Sequence, residues 1–287
     1  MVSFDVPEVD YTRYSNRQLA AVPLAVLVVA LAVVGGWVAV YGTPVDPGLE
    51  FTGGTELRVA TDGASPAAVR SAFATEPESV RGVSGGSYLV TFQNEDADIA
   101  TLERQARQAG FTIEASYRVS PSFGQRTQWL ALGGVVVAFA GMSVLVFLMF
   151  RTFVPSIAVV ISAFSDIVIP VALMNVLGIE LTLGTVAALL MIIGYSVDSD
   201  ILLNNHVLRR SGDFYESVRR AMRTGVTMTL TSLAAMVVMT ITATAFGIQL
   251  LAAIGTVLVF GLTADLMNTY MLNLSLLRWY KYEGVSR

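Results

Sequence analysis

Six runs of apolar residues dominate this sequence, each close to the roughly twenty that an α-helix needs to cross the hydrocarbon core of a bilayer. They fall at 19–41, 128–149, 153–176, 181–203, 225–246 and 249–274. Charged residues make up 14% of the 287, well below the roughly 25% usual in soluble domains. The expectation is an α-helical membrane protein with six transmembrane helices in the lipid bilayer. A net charge of −4 offers nucleic acid nothing to bind. The absence of cysteine excludes disulfides, thiol catalysis and cysteine-ligated metal. Neither a metal site nor a cofactor is expected. The first run follows Arg13 and Arg17 as the core of a signal peptide would, but it is too long for one and no A-x-A site ends it. It reads as a retained helix.

Loop charges orient the helices. Arg13 and Arg17 precede the first, Arg151 separates the second from the third, and Arg209, Arg210, Arg219, Arg220 and Arg223 lie between the fourth and fifth. Arg278, Lys281 and Arg287 follow the last, while the short turns after the third and fifth carry no basic residue. The positive-inside rule places residues 1–18, 204–224 and 275–287 in the cytoplasm, and 42–127 outside the cell membrane. That external segment reads as an α+β domain. Strands are expected at 55–61, 79–83, 87–93 and 111–119, and helices at 65–75 and 96–110. The order β-α-β-β-α-β is ferredoxin-like.

Four carboxylates interrupt the apolar runs: Asp166, Asp198, Asp200 and Asp265. An ionisable group inside a span usually faces the bundle interior and marks an ion pathway, although one near a helix end can simply sit in water. Asp166 lies thirteen residues past Phe153, about 20 Å along the helix axis and beyond mid-bilayer. Asp198 and Asp200, two residues apart, point about 200° from each other, so they cannot both face one small site. Arg223, at the start of the fifth helix, reads either as a snorkelling anchor or as a counter-ion for one of the acids. Thr224, Thr227 and Thr231 share a face that could hydrogen-bond to neighbouring helices. His206 has the chemistry of a proton relay, but its place beyond the fourth run suits a solvated helix end.

Several stretches resemble the SecD/SecF protein-export family of the RND superfamily. The segment "GLEFTGGTEL" (48–57), with Phe51, Thr52, Gly53, Gly54 and Thr55, is similar to the motif after that family's first helix. Residues 165–203, with Gly194, Tyr195 and Ser196, resemble its third and fourth helices, and "RTGVTMTLTS" resembles its fifth. The short external domain and the "FTGG" favour the SecF branch. The resemblance implies a Sec-pathway subunit that partners SecD and a SecY-type translocon. Using a proton or sodium gradient, it would assist a translocating polypeptide, with no enzymatic chemistry. It carries the family's helix-3 aspartate onto Asp166 and its helix-5 arginine onto Arg223. Helix 4 departs: "GYSVDSD" puts Ser199 where the family has aspartate, with an acid on either side. Together with His206 and Asp265, this resembles the archaeal branch.

The reading is a conformational machine in which protonation of the third- and fourth-helix acids, opposed by Arg223, biases the helix packing. Two rival readings fit the sequence less well. An intramembrane aspartyl protease needs two carboxylates sharing a proton, but the sequence lacks the second glycine of such a motif. A small-molecule RND exporter usually repeats the six-helix unit and carries larger external domains, neither of which is present in these 287 residues.

Overall fold

The computed structural model describes residues 9–83, 86–93, 98–209 and 213–282. Among these residues six helical stretches are long and apolar enough to cross a membrane. α1 (Asn16–Tyr41) opens on a capping box, in which the Gln18 N–H donates to Ser15 Oγ (3.3 Å) and the Ser15 N–H to Gln18 Oε1 (2.9 Å). A single-turn α2 (Leu49–Thr52), which the sequence pattern did not signal, leads into the small domain. Beyond the domain come α5 (Pro121–Phe150), α6 (Phe153–Leu177), α7 (Leu183–Arg209) and α8 (Phe214–Ala245). The sixth stretch has three parts: α9 (Gln249–Met267), a π-helical segment (Asn268–Asn273) and α10 (Leu274–Tyr282).

Several helices outrun the apolar windows. α5 starts at Pro121, whose fixed φ suits a first turn, and not near 128. Most of the basic stretch expected as a cytoplasmic loop at 204–224 is helical instead. Asp213 caps α8 by accepting from the Tyr215 and Glu216 N–H groups, and Glu216 pairs with Arg220 one turn on. Phe214, Val218 and Ala221 then bury a stripe beside Leu203, Tyr270, Leu274 and Leu277. Packing thus carries the helix past the point where hydropathy fades. Arg210, Arg287, the Ser84–Gly85 part of the expected hairpin turn and Asp96 in the expected helix 96–110 lie outside the described residues.

The small domain holds β1 (Gly54–Ala60), α3 (Pro66–Ser71), β2 (Ser79–Val83), β3 (Ser87–Phe92), α4 (Ile99–Gln108) and β4 (Thr112–Val119). Its antiparallel sheet has the order β2-β3-β1-β4, with Leu57 opposite Val90 on one side and Ser116 on the other. Strand alternation puts Leu57, Val59, Val90 and Phe92 on one face, packed beneath Val69 and Phe73 of the α3 side and Leu102 and Ala106 of α4. The opposite face turns Glu56, Arg58, Leu89, Ala115 and Tyr117 toward the α8–α9 turn across a cleft of about 400 Å³.

A strap, residues 44–50, binds this domain to the turn between α6 and α7. Asn175 Nδ2 donates to the Pro44 carbonyl (2.9 Å), the Leu181 N–H to Asp46 (2.7 Å), and the Gly48 N–H back to Leu181 (2.8 Å). Glu50 Oε2 accepts from the Leu183 N–H at 2.6 Å, satisfying a donor that the first turn of α7 cannot pair internally.

Candidate ion-relay site

Asp166 on α6, Asp200 on α7 and Asp265 on α9 are all buried, at 0%, 0% and 1% exposure. Asp166 accepts from Ser196 Oγ and from Asn268 Nδ2, both at 2.6 Å. Asp200 Oδ1 accepts from Thr269 Oγ1 (2.9 Å) and Asn273 Nδ2 (2.7 Å). Asp265 Oδ1 accepts from Ser199 Oγ at 2.6 Å and lies 3.2 Å from Thr269 Oγ1. Ser199 also donates toward the backbone carbonyl of Ser196 (2.9 Å), the residue whose hydroxyl bonds Asp166. Among the described residues no arginine or lysine forms an ion pair with any of the three.

Donor arithmetic makes this a relay geometry. A hydroxyl has one proton to give. Thr269 nevertheless touches Asp200 Oδ1, Asp265 Oδ1 and Ser199 Oγ, and Ser199 touches Asp265, Thr269 and the Ser196 carbonyl. These contacts cannot all be filled by the two hydroxyl protons. A proton carried on Asp200 or Asp265 supplies a missing donor, and reorienting either hydroxyl passes the role along the chain.

Two backbone features place these side chains. Pro170 sits inside α6 and has no N–H for the Asp166 carbonyl four residues back, which loosens the ladder at the acid. In an α-helix, residues five apart lie about 140° around the axis from each other. The i→i+5 ladder of a π-helix brings them much closer to one face. Asn268 and Asn273 are five apart at the two ends of the π segment, and this lets one serve Asp166 and the other Asp200. A close approach holds the segment to α8: a Cβ on Gly225 would run into Tyr270 Oη.

The remaining sequence candidates fall elsewhere. Asp198 is exposed, on the opposite side of α7 from Asp200. With Tyr195, Ser199, Asn205, Thr229 and Asp265 it lines a cavity of about 330 Å³ between α7, α8 and α9. Arg223 is also exposed and is not brought onto any of the acids. Thr224, Thr227 and Thr231 donate to the carbonyls four residues back in their own helix, so the expected bonds to neighbouring helices do not form. His206 Nδ1 lies 2.8 Å from the Leu202 carbonyl, a local contact outside the network.

Gly53 and Gly54 have φ of +76° and +129°. A Cβ on Gly53 would lie 2.6 Å from Pro121 Cα, and one on Gly54 would collide with the Phe92 carbonyl. The close approach is therefore to the start of α5 and to β3. Phe51 and Thr55 are buried beside them, and Thr52 Oγ1 donates to Gly53 O at 3.1 Å.

Residues 99–283 match the family described as protein export membrane protein SecD/SecF, C-terminal. Over the full length of both chains, this one is 74% identical to a protein-export membrane protein SecF of Haloferax volcanii and 71% to one of Haloquadratum walsbyi. A SecF of Methanocaldococcus jannaschii is 36% identical over 91% of this chain and 94% of its own. The chain belongs to the SecD/SecF family. The crystal structure of SecDF, a translocon-associated membrane protein from Thermus thermophilus, superposes with a TM-score of 0.74 at 21% identity. That match covers 96% of this chain and 39% of the longer SecDF chain, and shows a shared fold. As a SecD/SecF family member and a multi-pass membrane protein, the chain uses its motif residues unequally. Ser196 bonds Asp166 and Tyr195 borders the cavity, whereas a Cβ on Gly194 would meet nothing within 4 Å.

Proposed function

We propose that the chain is a SecF-type accessory subunit of the Sec export machinery that works with SecD beside a SecY-type translocon and draws on a proton gradient. The observation that carries the ion coupling is the hydrogen-bonded set of three buried acids on three helices, with no cation among the described residues paired to them. Burying uncompensated charge is costly, and protons taken up from one side and released to the other are the compensation this geometry can exchange. Asp198 and the cavity beside it supply the route by which water reaches Ser199 and Asp265. Arg223 anchors the cytoplasmic end of α8. In this reading both termini and the α7–α8 connection are cytoplasmic, and residues 42–127 lie outside, where the domain meets a translocating polypeptide. Changing the protonation of Asp166 or Asp200 alters the packing of α6 and α7, and the strap on their shared turn hands that change to the domain.

The protease reading finds little support, since Asp198 and Asp200 face opposite sides of α7. An export assay in a strain lacking the chromosomal gene tests the proposal. Secretion of a reporter should be restored by the chain together with SecD, and an uncoupler should abolish the restored portion. Restoration that ignores the uncoupler would remove the gradient from the account, and failure to copurify SecD would remove the partnership.

A further inference from the structure

Where the strap meets the α6–α7 turn, five carboxylates gather around one cation. Arg81 of β2 pairs with Glu180 of the turn at 2.6 Å. Glu56 comes from β1, Glu78 from the residue before β2, and Asp46 and Glu50 from the strap. Each of the five acts electrostatically on at least one of the others, with Arg81 opposing them. The nearby Arg58 is already paired with Glu114 at 2.7 Å. The Asp46 carboxylate accepts from Trp37 Nε1 of α1 and its backbone carbonyl from the Leu181 N–H, while Glu50 accepts from the Leu183 N–H, so direct hydrogen bonds fix two of the five in place.

We infer that this cluster is a proton-sensitive clasp, holding the four-stranded domain against the α6–α7 turn at low external pH and loosening as that pH rises. The geometry makes the case: Glu56 and Ser79 both pair with Thr91 in the sheet, the Glu78 N–H donates to the Thr91 carbonyl, and Arg81 reaches Glu180 across the junction, so among the described residues one guanidinium there faces more carboxylates than it can neutralise. Partial burial, and then the other acids, hold the Glu56 and Glu78 carboxyls above the ordinary range. Burial also raises Glu180, against the pull of Arg81. The sign follows from linkage. A carboxyl with higher proton affinity in the closed junction than in the open one favours closure. That contribution is complete below the ordinary carboxylate range and is lost as pH climbs through the raised values. The clasp is therefore the reverse of a simple ion pair, which acid would break. Its place on the outer side rests on the export reading; its pH response does not.

Hydrogen exchange read by mass spectrometry on the purified chain in detergent tests this without any sidedness. In the wild type the amides of Gly48, Leu181 and Leu183 should lose about threefold in protection factor between about pH 5 and pH 8, the share falling above pH 5 of the response from one carboxyl that binds its proton tenfold more tightly in the closed junction. Protection in β1 should not change. In Glu56→Gln/Glu78→Gln/Glu180→Gln the junction should stay protected at both values, and Glu180→Gln alone should remove part of the response if the triple variant does not fold. Equal protection at both pH values in the wild type overturns the clasp. So does an equal loss in the Gln variants, or a loss that spreads through β1.

Discussion

Thr269→Val removes the hydroxyl shared by Asp200 and Asp265 while keeping the shape and β-branching of the residue. The hydroxyl lies 2.9 Å from Asp200 Oδ1 and 3.2 Å from Asp265 Oδ1 in a fully buried site. Hydrogen bonds between transmembrane helices average about 0.6 kcal/mol and reach about 1.7, and those to charged groups run about 1.5–3. Asp200 keeps Asn273 and Asp265 keeps Ser199, so neither acid is orphaned. The expected loss is thus about 1.5 kcal/mol, or about tenfold in the unfolding equilibrium. Thr269→Ser should lose little. The functional effect should be larger than the structural one, because valine cuts the hydroxyl that, among the described residues, touches both acids. Unfolding by SDS titration gives the first quantity and uncoupler-sensitive export the second. If Thr269→Val matches Thr269→Ser in both, Thr269 is a spectator and the donor argument fails.

Other consequences follow from the same geometry. Gly53→Ala combines a left-handed φ with a Cβ 2.6 Å from Pro121 Cα, whereas Gly63→Ala has a similar φ of +79° and open space. The first should cost at least about 2 kcal/mol and the second about 1, and equal unfolding midpoints would show that the Pro121 contact yields. Gly225→Ala should displace the Tyr270 ring from α8 and cost about 1–3 kcal/mol. Tyr270→Phe in the same chain should recover most of that, since the hydroxyl is the colliding atom, and no recovery would place the strain elsewhere. A cysteine placed at the exposed Ala109 should react with an impermeant thiol reagent on intact cells, while one at the exposed Arg219 should not. The reverse pattern would invert the topology.

The sequence disclosed the architecture where burial alone decides it. Six apolar runs gave six helices, and strand alternation gave the sheet around Leu57 and Val90. The relay was only half legible. An aspartate in a span announces itself, and Asp166, Asp200 and Asp265 converge, but their donors do not stand out. Asn268 and Asn273 look misaligned on an α-helix, and only the π turn brings them onto one face. Ser199 read as the place of a missing acid, yet it bonds Asp265 directly. Asp198 looked equivalent to Asp200, and the 200° between them left open which of the two was buried. The strap and its clasp were not visible at all, because short contacts between distant backbone segments leave no periodicity.

The account rests on the three-acid network passing protons to drive a packing change. Gradient-dependent export with Asp166→Asn and Asp200→Asn, using copurified SecD as the folding control, tests it most directly. Asparagine keeps the size and hydrogen bonding of a permanently protonated carboxyl. Both variants should assemble with SecD at wild-type levels and lose the uncoupler-sensitive part of export. If either variant assembles and exports with full dependence on the gradient, that acid is a buried structural acceptor and the network does not carry the proton.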